Sequence, residues 1–337
     1  MQNNFILLSN SIGGIQTFEE LLIKYLKKKK IKCNLVKNNQ KEKSDKKHYF
    51  NSFNSNCINN IFKTIGIIKK IKNNNKNDKF IFIFSNQLIF IIYFFYIKFF
   101  FKNKKIYLFI HSHITKTNIL LIISAFISTI LSFWINKLYY VSNFTKKWWE
   151  KRFFFTLLLK NAVHYNSVNL QKIKKKNKKL HIGFVGRADK EKGLELFLKI
   201  ANIYKNKYKF FVFNNDKVHI NKNNKNIKFF YNEKKKNIYK KIDVLLVTSP
   251  IENCPYTVLE AKSYGIPTLA YLTKGGINEI IKNNYDGFLI KKKNINKLEK
   301  TFLKLKKKYK IYSKNSIKNS YNYNSNIKIP KLIKDLI

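Results

Sequence analysis

Short, uniformly apolar runs set between polar turns and helical stretches restrict the folds open to this chain more than any other feature. Asn4-Phe-Ile-Leu-Leu-Ser9 runs straight into Asn10-Ser-Ile-Gly-Gly-Ile-Gln-Thr17 and then a helical stretch from Phe18 to Lys28. The rhythm returns as a strand at Phe80–Phe84, an apolar helix at Leu88–Phe100, a strand at Ile106–Ile110 and an apolar helix at Ile119–Ile135. It starts again with a strand at His181–Val185, a helix at Leu194–Asn202, a strand at Asp243–Val247, a helix from Tyr256 and a strand at Thr268–Tyr271. Strands that lack period-two alternation are buried on both faces, and strands alternating with helices build parallel sheets. The expectation is an α/β chain.

A length of 337 residues favours about two domains. The basic, apolar-poor segment Gln171–Lys179 reads as a linker, which divides the chain into an N-terminal domain 1–168, a linker 169–180, a C-terminal domain 181–312 and a tail 313–337. The tail is polar with a short amphipathic end and is expected to pack back on the N-terminal domain. Lys/Asn-rich spans at Asn38–Asn56 and Asn73–Asp78 read as loops, and no targeting peptide is read before the first strand. The run Ile119–Ile135 resembles a membrane span but is slightly short of the ~20 residues a bilayer needs, and it includes three serines and a threonine. It reads as a buried or membrane-contacting helix.

The 68 Lys+Arg against 18 Asp+Glu give a net charge of +50, yet Arg stands only at Arg152 and Arg187. Lys, Asn, Ile, Phe and Tyr dominate, as expected from an AT-rich genome. A nucleic-acid reader relies on the arginine fork for guanine and phosphate, so nucleic acid is not the expected partner. The 3 cysteines (Cys33, Cys57, Cys254) have no metal-ligand spacing and fit neither a disulfide scaffold nor a structural zinc site; a reducing compartment suits them. The bias turns scarcity into a signal: residues that need G or C in their codons stand out where they persist.

They persist at a few turns. Gly183-Phe-Val-Gly186-Arg187-Ala-Asp-Lys-Glu-Lys192-Gly193 leaves a strand and enters a helix. Arg187 offers a rigid fork to a phosphate and Lys192 a mobile point charge, while an ordinary ion pair of Arg187 with Asp189 or Glu191 is the competing reading. Farther on, Glu252-Asn-Cys-Pro255-Tyr-Thr-Val-Leu-Glu260-Ala sets two glutamates around a helix start with seven residues between them, and Gly265-Ile-Pro267 lies beyond. Amides of Tyr256, Thr257 and Val258 at that start suit a diphosphate, and Glu260 suits a vicinal diol such as a ribose.

The ordered set Gly186-Arg187-(x4)-Lys192-Gly193, Glu252-(x7)-Glu260-Ala, Gly265-Ile-Pro267, Gly275-Gly276-(x2)-Glu279 and Asp286-Gly287 resembles glycosyltransferase family 4, the group 1 glycosyltransferases of GT-B fold. Gly13-Gly14 after the first strand, a histidine after Ile106–Ile110, Val141-Ser142 before a helix and Asn166-Ser167-Val168 at the junction agree with it, and the resemblance extends to about Ile290. It implies two Rossmann-like domains facing a cleft and retaining transfer of a sugar from a nucleotide-diphosphate donor (UDP- or GDP-sugar), with no catalytic metal and no prosthetic group. It further implies that Arg187 and Lys192 neutralise the departing diphosphate, Glu252 and a histidine contact the donor sugar, Glu260 binds the ribose, and Gly13, Gly14, Gly186, Tyr256, Thr257, Val258, Gly275 and Gly276 complete the donor site. Of His111 and His113, His111 directly follows the strand and is preferred.

Three departures stand out. No glycine survives in Phe210-Phe-Val-Phe-Asn-Asn-Asp216, the span from there to Asp243 is short, and Asn253-Cys254-Pro255 replaces a more usual glycine-containing run. The acceptor expected is a glycan or lipid-linked molecule in surface polysaccharide or glycolipid synthesis, reached at the anionic cytoplasmic face of the membrane. A decayed GT-B protein holding anionic lipid or nucleic acid, and a GT-B epimerase or phosphorylase, are the alternatives. Donor sugar, base, linkage and oligomeric state are not legible.

Overall fold

The computed structural model describes residues 4–9, 13–37, 65–66, 68–69, 78–84, 87–101, 104–113, 119–171, 180–215, 227–291 and 295–337. The chain divides into two compact units, Met1–Tyr165 with Ile329–Ile337, and Asn166–Lys328. Among the described residues each unit holds one six-stranded sheet, and every strand pair is parallel.

The first unit runs β1 (Asn4–Ser9), α1 (Gly14–Lys28), β2 (Lys32–Lys37), β3 (Asp78–Phe84), α2 (Gln87–Phe100), β4 (Lys105–Ile110), α3 (Ile119–Leu131), a 3-10 turn (Ser132–Trp134), β5 (Lys137–Tyr140), α4 (Asn143–Arg152), a second 3-10 turn (Phe154–Leu158) and β6 (Asn161–Val163). Its strand order is β2-β1-β3-β4-β5-β6. Phe5 to Leu8 and Phe80 to Ile83 are fully buried, as strands covered on both faces by helices must be. The first helix starts at Gly14, four residues earlier than the pattern suggests, and the apolar stretch from Ile119 stays α-helical only to Leu131.

The second unit runs β7 (His181–Val185), α5 (Leu194–Ile203), β8 (Lys209–Asn214), β9 (Ile227–Tyr231), α6 (Lys235–Lys241), β10 (Val244–Val247), α7 (Tyr256–Ser263), β11 (Thr268–Tyr271), α8 (Ile277–Ile280), β12 (Gly287–Ile290), α9 (Ile295–Lys307), α10 (Tyr309–Ser320), a 3-10 turn (Tyr321–Tyr323) and α11 (Ser325–Leu336). Its order is β12-β11-β10-β7-β8-β9. The short span before Asp243 thus contains a strand and a helix, β9 and α6. The loop expected at Asn38–Asn56, most of Asn73–Asp78 and positions 172–179 of the expected linker lie outside the described residues.

Residues 313–328 of the expected tail belong to the second unit, and only Ile329–Ile337 to the first. There the end of α11 is fixed to the sheet: Tyr139 Oη donates to Asp335 at 2.7 Å, Lys137 pairs with the same carboxylate at 2.7 Å, and Tyr107 Oη donates to the Leu336 carbonyl at 2.9 Å. Burial raises the Asp335 carboxyl, but the hydrogen bonds from Lys137 and Tyr139 outweigh it and hold it below its usual range.

Candidate active site

In the second unit β7 lies beside β10, with β8 and β9 on one side and β11 and β12 on the other. Where a parallel sheet reverses its winding, loops leaving the carboxyl ends of the two central strands diverge and open a crevice, the usual ligand site of such sheets. The loop leaving β7 carries Gly186, Arg187 and Lys192, and the loop leaving β10 carries Glu252. The two scarce-residue clusters singled out in the sequence therefore stand on adjacent strand ends.

They meet. Lys192 Nζ lies 2.6 Å from Glu252 Oε1, across 60 residues of sequence. The β7 loop is shaped for this: Asp189 Oδ1 accepts from the Lys192 amide at 2.9 Å, and Gly193 follows with φ +70, a left-handed conformation that caps α5. A Cβ on Gly193 would stand 2.2 Å from the Thr248 carbonyl oxygen, so a side chain there would force the two loops apart. Thr248 Oγ1 donates to the Lys192 carbonyl at 3.3 Å and closes the same contact. The aliphatic stem of Lys192 lies over Gly186, with Cγ 3.5 Å from where a Cβ would be.

Glu252 is held from its other side by the loop leaving β11. Ile277 N–H donates to the Glu252 carbonyl at 3.1 Å, and Gly275, at φ +155, sits so close that a Cβ would be 2.2 Å from that oxygen. Gly275 thus packs closely on the Glu252 backbone. Arg187 pairs with Asp189 at 3.3 Å and Glu191 at 3.4 Å while staying about a third exposed, so the ion-pair reading is realised without burying the guanidinium.

α7 begins next to this crevice. Pro255 is its cap, and Asn166 holds the approach: its amide N–H donates to Cys254 Sγ at 3.3 Å and its side chain to the Cys254 carbonyl at 2.7 Å. The first-turn amides of a helix have no intrahelical acceptor and attract anions. Val258 N–H already leans on the Pro255 carbonyl at 3.2 Å, so Tyr256 and Thr257 offer the freer pair. The Tyr256 side chain is buried, so its part in an anion site is confined to its backbone. One turn into the helix, Glu260 is gripped by Tyr239 Oη, which donates at 2.8 Å, and by Lys235 at 2.7 Å. Burial next to the Glu260 carboxylate pushes the Tyr239 phenol well above its ordinary range and keeps it a donor. Cys254, sealed beneath the turn, has its thiol pushed up to about 12 by burial.

The remaining expected residues lie in the first unit. Gly13, at φ +62, caps α1, and a Cβ there would meet nothing within 4 Å; Gly14 is the first helical residue. His111 follows β4 directly, its ring 5.7 Å from Phe18, its Nε2 sealed with no hydrogen-bond partner. Burial lowers this imidazole to about 4, so it is neutral near pH 7. His113 is buried between the rings of Phe144 and Trp148, at 5.1 and 5.6 Å. Among the described residues no group of three or more His, Cys, Asp or Glu is placed to hold a metal ion.

Residues 167–323, which contain the whole of this crevice, match the family model described as glycosyl transferases group 1. The fold of the whole chain is GT-B: it aligns over 99% of its length with 98% of sucrose-phosphate synthase from Thermosynechococcus elongatus at TM-score 0.78 and 12% identity. It also aligns over 99% of its length with 99% of Anabaena Alr3699/HepE in complex with UDP, at TM-score 0.72 and 11% identity. A glycosyltransferase from Rickettsia africae ESF-5 matches over 100% of this chain and 98% of its own, at TM-score 0.68 and 17% identity. No curated protein sequence matches the chain.

Within residues 167–323, sequence reasoning missed Tyr239 and Lys235. With 20 tyrosines in the chain and lysine its most abundant charged residue, neither stands out, and their partner lies more than 20 residues away. Asp189 was read only as a rival for Arg187, whereas it also shapes the turn that presents Lys192.

Proposed function

We propose that the chain is a retaining, metal-independent glycosyltransferase that moves a sugar from a nucleotide diphosphate to a glycan or lipid-linked acceptor, in surface polysaccharide or glycolipid synthesis. The observation that carries the reading is the Lys192–Glu252 pair at the switch point, beside the exposed fork of Arg187 and the start of α7. The donor is a UDP- or GDP-sugar, with UDP ranked first because the Anabaena neighbour is a complex with UDP.

In this reading Lys192 and Glu252 neutralise one another while the site awaits its donor. The diphosphate draws Lys192 away, and Arg187 exchanges Asp189 and Glu191 for phosphate oxygens. Glu252, released, accepts hydrogen bonds from hydroxyls of the donor sugar. The amides of Tyr256 and Thr257, with Val258 behind them, and the turn at Gly186 cradle the phosphates; Gly275 keeps Glu252 in place. Glu260, held by Tyr239 and Lys235, takes the ribose hydroxyls. As the glycosidic bond breaks, negative charge accumulates on the diphosphate, and two fixed cations stabilise that charge without any bound metal. The chain acts as a peripheral protein on the anionic cytoplasmic face of the membrane, a reading supported by the basic surplus and by the exposed apolar side chains of the first unit.

The test is a thermal-shift screen with UDP- and GDP-sugars, followed by turnover of the stabilising donor. Arg187→Ala is expected to reduce turnover roughly 10²–10³-fold. Undiminished donor hydrolysis and transfer in that variant would overturn the site.

A further inference from the structure

α3 is built inside out. Ser124, Ser128, Thr129 and Ser132 are buried, while Ile119, Ile123, Phe126, Ile127, Ile130 and Phe133 face outward. The buried hydroxyls are satisfied by the helix itself: Ser128 Oγ donates to the Ser124 carbonyl at 2.7 Å, Ser132 Oγ to the Ser128 carbonyl at 2.7 Å, and Thr129 Oγ1 to the Ala125 carbonyl at 3.0 Å. A helix on the surface of a water-soluble domain turns its apolar stripe to the core, whereas α3 buries Ala125 and Leu131 there and turns Ile119, Ile123, Phe126, Ile127 and Ile130 outward.

The outward face continues on both sides. α2 adds Phe95, Phe99 and Phe100, and a groove of about 640 Å³ lined by Ile65, Ile92, Phe95, Tyr96, Lys98 and Phe99 opens on it. On the other side the 3-10 turn Phe154–Leu158 packs through Phe155 against Phe126 and Phe133, with ring centroids 5.8 and 6.1 Å apart. That turn leaves Phe154 75%, Leu157 61% and Leu158 78% exposed. Among the described residues 20 large apolar side chains stand exposed, and 13 of them fall between Phe95 and Leu158. Soluble monomers rarely present so much contiguous apolar surface without a partner.

The charges name the partner. The turn reads Lys151-Arg152-Phe-Phe-Phe-Thr-Leu-Leu-Leu-Lys160, an apolar tip between cations that are themselves exposed. Lys98, Lys151, Arg152 and Lys160 stand exposed along this face, and the one acid between Lys79 and Lys160 in the sequence, Glu150, is paired with Lys146. Two copies of this face brought together would confront like charge with like, whereas anionic headgroups would neutralise it. Trp134, more than half exposed at the end of α3, is of the residue type that favours the headgroup boundary. Crossing the bilayer is excluded for α3: 13 residues span about 20 Å against a hydrocarbon core of about 30 Å, and no described helix is long and apolar enough to cross a membrane.

We propose that the face formed by α2, α3 and the Phe154–Leu158 turn docks into the interfacial layer of an anionic lipid bilayer. The turn acts as a wedge among the acyl chains, and Lys98, Lys151, Arg152 and Lys160 rest on the headgroups. The inference rests on the membrane part of the function proposed above and gives it a surface; it does not depend on the donor.

The test is co-sedimentation of the full chain with vesicles of phosphatidylcholine alone and of phosphatidylcholine mixed with phosphatidylglycerol, at low salt and without donor. The chain is expected to bind the mixed vesicles. Partitioning should fall at least roughly tenfold in F154S/L157S/L158S, with the melting temperature unchanged because those three side chains stand mostly in solvent, and should fall again in F126S/I130S. Donor hydrolysis measured without vesicles should match the parent chain in both variants. Equal binding of the parent and both variants, no binding by the parent, or a dimer in sedimentation equilibrium that F154S/L157S/L158S dissolves would each overturn the proposal. A parent chain that binds vesicles but hydrolyses no nucleotide sugar would count against the catalytic reading alone.

Discussion

Two lysine–carboxylate pairs in the second unit share one chemistry and one distance. Lys192 and Glu252 meet at 2.6 Å with side chains 30% and 10% exposed; Lys262 and Asp286 also meet at 2.6 Å, with both side chains at 0%. The first joins loops that leave neighbouring strands at the switch point. The second ties α7 to the turn before β12, where Asp286 also accepts from the Lys282 amide at 3.0 Å and from the Asn319 side chain of α10. Burial lowers the Lys262 ammonium to about 8 even though Asp286 pulls it upward. The difference is access: a pair that keeps some contact with water can trade its partner for a ligand, while a sealed pair is committed to the fold.

The largest effect should come from breaking the sealed pair. Lys262→Met leaves Asp286 charged and buried, and is expected to lower unfolding free energy by about 3–5 kcal/mol in urea titrations. Turnover per folded molecule at low temperature should be unaffected; a loss under about 1 kcal/mol would erase the contrast. Lys192→Ala should do the opposite. Donor turnover is expected to fall roughly 10²–10³-fold while stability moves by no more than about 1 kcal/mol, because Glu252 retains a path to solvent.

His111 extends the comparison to a buried group with no ion partner. Its folded pKa, about 4, lies below the ordinary 6.5. Between those values the unfolded chain takes up a proton that the folded chain refuses. Stability is therefore complete above pH 6.5 and declines as the pH falls toward 4, by roughly 3 kcal/mol. A melting-temperature profile that His111→Asn fails to flatten over that window would remove the imidazole from the account. The smallest effect concerns Tyr239. Phenylalanine there removes one hydrogen bond to Glu260, worth about 1 kcal/mol, and is expected to raise the KM for the donor about fivefold while leaving kcat near the parent value.

The central strands were legible in the sequence because they are buried on both faces. β1, β7 and β11 fall on the apolar runs Asn4–Ser9, His181–Val185 and Thr268–Tyr271. The edge strands β2, β6 and β9 were not. Lys32-Cys-Asn-Leu-Val-Lys37 pairs on one side only and carries polar residues that dilute the signal. At the site, Arg187, Lys192, Glu252 and Glu260 were found because arginine, glycine and acid are rare here. Tyr239 and Lys235 belong to common types and reach Glu260 only through the packing of α6 beside α7.

The sequence by itself determined the alternation of strands and helices, the glycine turns and the charges carried at the strand ends, because these follow from local apolar pattern and residue chemistry. Tertiary structure alone decided which charges keep access to water and which way a helix faces. Lys262 and Lys192 are the same residue type, and Asn319, 33 residues beyond Asp286, helps enclose one pair, whereas the side chains of the other stay partly open to water. Likewise the Ile119–Leu131 stretch reads as apolar in any register, and only packing against its neighbours turned the serines inward and the isoleucines out.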